Sequence, residues 1–356
     1  MATIKEWLQL ASEKGASDIF IGVGRRISFK IDGILNPCSE NKFTPADVED
    51  AVLSLYEMAK RSMDKFLESG DDDFSVPIPG VARFRVNVYR QRASIAMVIR
   101  VVLFNMPDYK LLDIPPEVMD IADKKNGLVL VTGSTGTGKT TTLACIVDKI
   151  NKTRSTHIIT MEDPIEFLHR DDKSIVSQRE ISGDTNSYLT ALRACLRQAP
   201  DIIFLGEMRD FDTIGTAMTA AETGQLVIST LHTTSAVNTI DRIVDVFPPK
   251  QQQQIRVQLS MVLQTVVTQK LLKHKNGGLV PAFEILHCNS AVRNLIRESK
   301  THQIDNVIQT SSHDGMISMD GYILKLFKSG EITSETAIHN ATDADQMIRR
   351  IGAGSS

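Results

Sequence analysis

Two apolar patterns divide this chain. Through roughly the first hundred residues, short strand-like stretches alternate apolar and polar positions, with helical spacing between them. The span 4–14 sets Trp7, Leu8 and Ala11 on one side of a helix. Asp18-Ile19-Phe20-Ile21 and Ile27-Ser28-Phe29-Lys30-Ile31 read as strands, and Asp32-Gly33 is a hairpin signal. Thr44-Pro45 supplies the cap and first turn of a helix predicted over 46–66. In 81–88, Ala82, Phe84, Val86 and Val88 alternate with Arg83, Arg85 and Asn87, which puts the two arginines on one strand face. Arg90, Arg92 and Arg100 follow. These arginines form either a solvated polar face or a set from which some reach a phosphate at a domain or subunit boundary.

Beyond Pro107, Pro115 and Pro116, which mark a linker over 103–117, the apolar residues come in short unbroken runs. Leu128-Val129-Leu130-Val131, His157-Ile158-Ile159-Thr160-Met161, Ile202-Ile203-Phe204-Leu205 and Leu226-Val227-Ile228-Ser229-Thr230-Leu231 are strands buried on both faces. Helical segments at 141–151, 189–197 and 213–223 lie between them. That alternation predicts a parallel α/β sheet with its active site at the carboxyl ends of the strands. From about 250 the chain reads as mostly helical, with helices over 255–272, 291–298, 319–328 and 344–351 and a disordered tail at 352–356. The organisation expected is an α+β domain at 1–102, the linker, and an α/β P-loop domain with C-terminal helices at 118–356.

The chemistry centres on Gly133-Ser134-Thr135-Gly136-Thr137-Gly138-Lys139-Thr140, a G-x-x-x-x-G-K-T phosphate-binding loop in its required strand–loop–helix context. The glycines let backbone N–H groups approach a phosphate at a helix N-terminus. Lys139 would pair with the β- and γ-phosphates and the Thr140 hydroxyl would ligate Mg²⁺, with Thr141 completing the helix start. A nucleoside triphosphate and Mg²⁺ are therefore the expected ligands. Three strand ends deliver Glu162, Glu207 and His232 to the same edge. Glu207 follows four apolar residues and Gly206, as the acid of a Walker B strand does, and is assigned to Mg²⁺; Gly206 stands where many P-loop proteins carry Asp. Glu162 is the candidate general base, with Glu166 as its rival. His232 is either a hydrogen-bonded structural residue or a donor that reports the γ-phosphate.

Composition narrows the setting. A net charge of −3 gives no general affinity for nucleic acid. No apolar run is long enough to cross a bilayer and no signal-peptide pattern opens the chain, so a cytoplasmic protein without direct membrane insertion is expected. Cys38, Cys145, Cys195 and Cys288 are scattered, with no C-x-x-C pair, and indicate neither a zinc site nor a disulfide framework.

Taken together the motifs resemble the secretion and type IV pilus ATPases, hexameric motors of the additional-strand P-loop class with a RecA-like core. Thr160-Met161-Glu162-Asp163-Pro164-Ile165-Glu166-Phe167 is similar to that family's Asp box, 200–210 to its Walker B segment, and Leu231-His232-Thr233 with Thr239-Ile240-Asp241-Arg242 to its His box and the run that follows. Ala291-Val292-Arg293-Asn294-Leu295-Ile296-Arg297-Glu298 resembles the box of the retraction branch, and the chain lacks the tetracysteine insertion common in assembly and secretion relatives. Three positions depart from the pattern: Gly224-Gln225 where Gly-His is usual, Ser299 where Gly is usual, and Gly321 where a larger residue is usual.

The resemblance implies a homohexamer that hydrolyses ATP to drive pilus retraction through an inner-membrane platform protein, located in the cytoplasm at the pilus machinery. It implies a PAS-like N-terminal domain packed on a neighbouring core. Some of Arg83, Arg85, Arg90 and Arg92, with Arg83 and Arg92 as the named candidates, would then contact nucleotide. The rival readings are a pilus-assembly or secretion ATPase, an accessory retraction ATPase and, remotely, a nucleic-acid translocase on a RecA-like core.

Overall fold

A computed structural model describes residues 3–31, 33–102, 106–181 and 183–352. The chain divides into two compact units, residues 1–105 with 166–168, and residues 106–165 with 169–356.

The first unit is an antiparallel sheet with helices over one face. Its strands are β1 (Asp18–Gly22), β2 (Ser28–Ile31), β3 (Ile34–Pro37), β4 (Asp71–Ile78), β5 (Ala82–Gln91) and β6 (Ser94–Val102), in the order β3-β2-β1-β6-β5-β4. β5 follows the predicted alternation, with Ala82, Phe84, Val86 and Val88 buried and the residues between them half-buried. β2 and β3 pair with Ile31 opposite Ile34, as a hairpin requires; Asp32 of the predicted turn lies outside the described residues. Thr3 and Thr44 each close a capping box at the start of helices Ile4–Glu13 and Pro45–Met58. The single helix expected over 46–66 is broken. The chain turns at Lys60, where φ is +52°, and delivers Arg61 to the buried Asp72 at 3.0 Å before a second helix at Asp64–Ser69.

The second unit is built on seven strands. These are β7 (Gly127–Thr132), β8 (His157–Glu162), β9 (Ile175–Glu180), β10 (Ile202–Leu205), β11 (Leu226–Leu231), β12 (Leu263–Lys273) and β13 (Leu279–His287), ordered β13-β12-β7-β11-β10-β8-β9. All pairings are parallel except the β12–β13 hairpin. Every residue of β7, β10 and β11 is buried, because helices cover both faces. Leu128 and Leu130 face one hydrophobic core with helices Phe211–Glu222, Ala236–Asp245 and Pro249–Val262, while Val129 and Val131 face the other with helices Lys139–Thr153 and Met319–Lys328.

The helix expected over 255–272 is corrected by the structure. A helix ends at Val262, and Leu263–Lys273 is β12, paired directly with the strand of the glycine loop. The run Thr265-Val266-Val267-Thr268 is β-branched throughout, and Val266 and Val267 face opposite cores. Burial on both faces removes the polar alternation that would have marked a strand.

Candidate active site

The site grows from the carboxyl ends of four strands in register. Thr132 pairs with Leu231, Leu205 with Ser229, and Leu205 with Met161, so β7, β11, β10 and β8 finish along one edge. The loop strand β7 and the Walker B strand β10 are separated by β11, and Glu162 ends the strand beside β10. The backbone continues this alignment past the strands: the Gly206 N–H donates to the Met161 carbonyl at 2.8 Å and the Met208 N–H to that of Thr230 at 3.3 Å.

At β7 the chain enters residues 133–138 and then helix Lys139–Thr153. Gly133 is required by space as well as by backbone, and Gly138 by its left-handed backbone in a tight setting. A Cβ on Gly133, at φ +141°, would fall on the Gln269 carbonyl oxygen, and one on Gly138, at φ +85°, would lie 3.0 Å from Gln269 Nε2. Gly136 is also left-handed, while Ser134, Thr135 and Gly136 are exposed at the tip. The Thr137 hydroxyl donates to the Ser134 carbonyl at 2.9 Å. Lys139, only 8% exposed, donates to the carbonyls of Gly133 and Ser134, both at 2.8 Å, which holds its ammonium inside the loop. Thr140 and Thr141 are half-buried in the first helical turn, which carries no side-chain cap. Uncapped N–H groups, a seated ammonium and a cradle that rejects side chains fit a polyphosphate.

β12 supports this loop from beneath. Thr268 and Thr132 share a hydrogen bond at 3.0 Å, and the Thr142 hydroxyl donates to Gln269 Oε1 at 2.8 Å. Gln269 therefore touches both ends of the loop. These supports belong to the segment expected to be helical, so the sequence concealed them; its Thr-Val-Val-Thr run was the available signal.

Glu162 is buried, and its Oε1 accepts from the Thr160 hydroxyl at 2.6 Å and from Gln178 Nε2 at 3.1 Å. Gln178 is held in turn by the His169 N–H, which donates to its Oε1 at 2.8 Å. Such bonds fix the orientation of the carboxylate. Glu166, four residues beyond, is exposed. Glu207 meets Arg209 Nε at 2.7 Å and His232 Nε2 at 3.4 Å. Its hydrogen bond raises the Arg209 guanidinium further above its already high range. Glu207, Arg209, His232, Thr233 and Arg242 help to line one cavity of about 400 Å³. Gly206 is small for a reason: a Cβ there would sit 2.8 Å from the Tyr188 hydroxyl and 3.2 Å from the Met161 carbonyl oxygen. Burial, reinforced by Asp163 and Glu207, keeps that phenol protonated well above its usual range.

A family profile described as "Type II/IV secretion system protein" matches residues 1–291. The chain belongs to the type II/IV secretion system protein family. It is 43% identical to the type IV pilus retraction ATPase PilT of Pseudomonas aeruginosa over 95% of this chain and 98% of that protein. It is 36% identical to the type IV pilus ATPase PilU of the same organism over 98% and 91% of the two chains. Among solved structures, the pilus retraction motor PilT with bound ADP superposes with a TM-score of 0.89 at 44% identity, covering 98% of this chain and all of that one.

Against this type II/IV secretion pattern the departures acquire physical form. Gln225 enters β11 at its amino end, where its carbonyl accepts the Gly127 N–H, so it lies at the far end of the strand from His232 and outside the site. Ser299 has φ +59° directly after helix Ser290–Arg297 and its cap residue Glu298, which explains why glycine suits that position. Gly321 is the third residue of helix Met319–Lys328, and its N–H donates to the Ser318 cap. In the first unit, Arg83 begins β5 while Arg92 lies in the left-handed β5–β6 turn, about 30 Å away at strand spacing. The two are not brought together, and Arg90 instead stacks on Phe66 with its guanidinium carbon 5.6 Å from the ring centre. Among the described residues no helix is long and apolar enough to cross a membrane.

Proposed function

We propose that this chain is the subunit of a hexameric, ATP-hydrolysing motor that powers type IV pilus retraction. The observation that carries the reading is that the strands leading into the glycine loop, Glu162 and Glu207 finish along the same sheet edge, β8 and β10 as hydrogen-bonded neighbours. Similarity to PilT along nearly its whole length supports it.

The residues divide the work. The N–H groups of 133–141 and the Lys139 ammonium bind the phosphates. Thr140 and Glu207 provide the hard oxygen donors that would hold Mg²⁺, whose chemistry is to neutralise phosphate charge. Glu162, aimed by Thr160 and Gln178, orients the attacking water and accepts its proton. His232, half exposed beside Glu207, donates to the γ-phosphate and registers its loss. Arg83 or Arg92 completes the charge stabilisation. The motor works in the cytoplasm against an inner-membrane platform protein.

Lys139→Ala tests this reading. Hydrolysis by the purified protein should fall at least about 100-fold while its hexameric size is kept, and the strain should carry surplus, immobile pili. Wild-type retraction by that strain, or a parent protein without ATPase activity, would refute the reading. Loss of pili on deletion would identify an assembly motor instead. The departures at Gln225, Ser299 and Gly321 favour, as a second reading, an accessory retraction role. Deletion would then slow retraction without stopping it.

A further inference from the structure

Glu284 sits within β13, 6% exposed and opposite Thr268 of β12. Its carboxylate Oε1 accepts the Ala236 N–H at 2.7 Å, and the group also accepts the Met319 N–H. Ala236 and Met319 are the first residues of helices Ala236–Asp245 and Met319–Lys328. Each helix already has a serine cap, Ser235 to the Asn238 N–H and Ser318 to the Gly321 N–H. One buried carboxylate therefore serves the positive ends of two helices and satisfies donors that the serine caps leave over. Burial pushes this carboxyl up, and the two N–H groups and Lys270 oppose that push.

The first of these helices begins four residues after His232. Between them, Thr233 shares a hydrogen bond with Thr239 at 2.6 Å, so the short connector is fastened at both ends. Further along the same helix, Asp241 accepts the Thr301 hydroxyl at 2.9 Å, just beyond the Ala291–Glu298 box. We propose that Glu284 is a positioning residue: it pins the connector that holds His232 beside Glu207, and ties that connector to the C-terminal helices. This rests on the motor reading above and adds a residue to it.

An isosteric amide shows the logic. Glutamine offers one acceptor oxygen in place of two and no charge, so it must hold the two helix N–H groups more weakly. One helix start must loosen, while the Lys139 loop keeps its own supports. In the full chain, Glu284→Gln should lower kcat for ATP at least tenfold, leave KM within twofold and retain a cooperative melt. His232→Ala should absorb the effect: adding Glu284→Gln to it should change kcat less than twofold. A wild-type kcat in Glu284→Gln, a parallel rise in KM, or full additivity with His232→Ala would overturn the proposal. Should Glu284→Gln fail to melt cooperatively, Glu284→Asp, which keeps the charge but is shorter, should fold and show an intermediate kcat. If neither variant folds, or Glu284→Asp turns over like the parent, Glu284 is structural only and the proposal falls. An unsubstituted chain that hydrolyses no ATP would refute the motor reading itself, a result distinct from any of these.

Discussion

The glycine loop and the carboxylate edge lie along the same end of one sheet, yet they are assembled by different means. The loop is eight consecutive residues whose form is set by left-handed glycines and by bonds spanning three to six residues, such as Lys139 to the Gly133 and Ser134 carbonyls. The edge is gathered from β8, β10 and β11, and its aim depends on partners from elsewhere, Gln178 for Glu162 and Tyr188 beside Gly206. A self-contained loop can bind while the edge is damaged. Binding and turnover should therefore come apart under substitution.

The largest effect expected is at the edge. Glu162→Gln should reduce kcat by about 100-fold or more while nucleotide affinity changes less than twofold, measured by phosphate release and equilibrium binding. Equal losses in both would erase the distinction between the two regions.

Acid should strike the edge by way of His169. Burial lowers this imidazole to about 4 from an ordinary 6.5, and the backbone N–H of the same residue supports Gln178, which in turn supports Glu162. The neutral ring's contribution is present above pH 6.5 and is lost as pH falls toward 4, up to about 3 kcal/mol. Thermal melts should show His169→Gln with a flatter stability profile than the parent across that interval.

The loop also leans on β12 at long range, and that support gives the next effect. Gln269→Leu removes the acceptor for Thr142 and should raise KM for ATP about tenfold, with a smaller change in kcat. A fall in kcat at constant KM would move Gln269 to the other side of the comparison. The smallest effect lies outside both regions. Ser299→Gly relieves a left-handed serine and should stabilise the protein by about 1 kcal/mol, read as a melting temperature higher by about 2 °C at unchanged kcat.

How much the sequence disclosed follows the same division. The loop, its strand and its helix were legible because the whole unit is contiguous. The ends of β8, β10 and β11 were legible too, since each couples an apolar run to a polar terminus; Ile202–Leu205 and Leu226–Leu231 match the observed strands. What escaped was pairing. β9 is a half-buried edge strand of mixed polarity, and β12 is buried on both faces, so neither shows a period that distinguishes it. With them went Gln178, Thr268 and Gln269. Arg209 stood in plain view beside Glu207, but only the fold shows that it folds back onto that carboxylate.

Gly206 and Tyr188 carry one last implication. The phenol fills the room that a side chain at 206 would need, so the two positions are interlocked. A second acid could be restored to the end of β10 only if the ring at 188 were cut back in the same step. Until then Glu207 alone supplies the carboxylate directly after that strand.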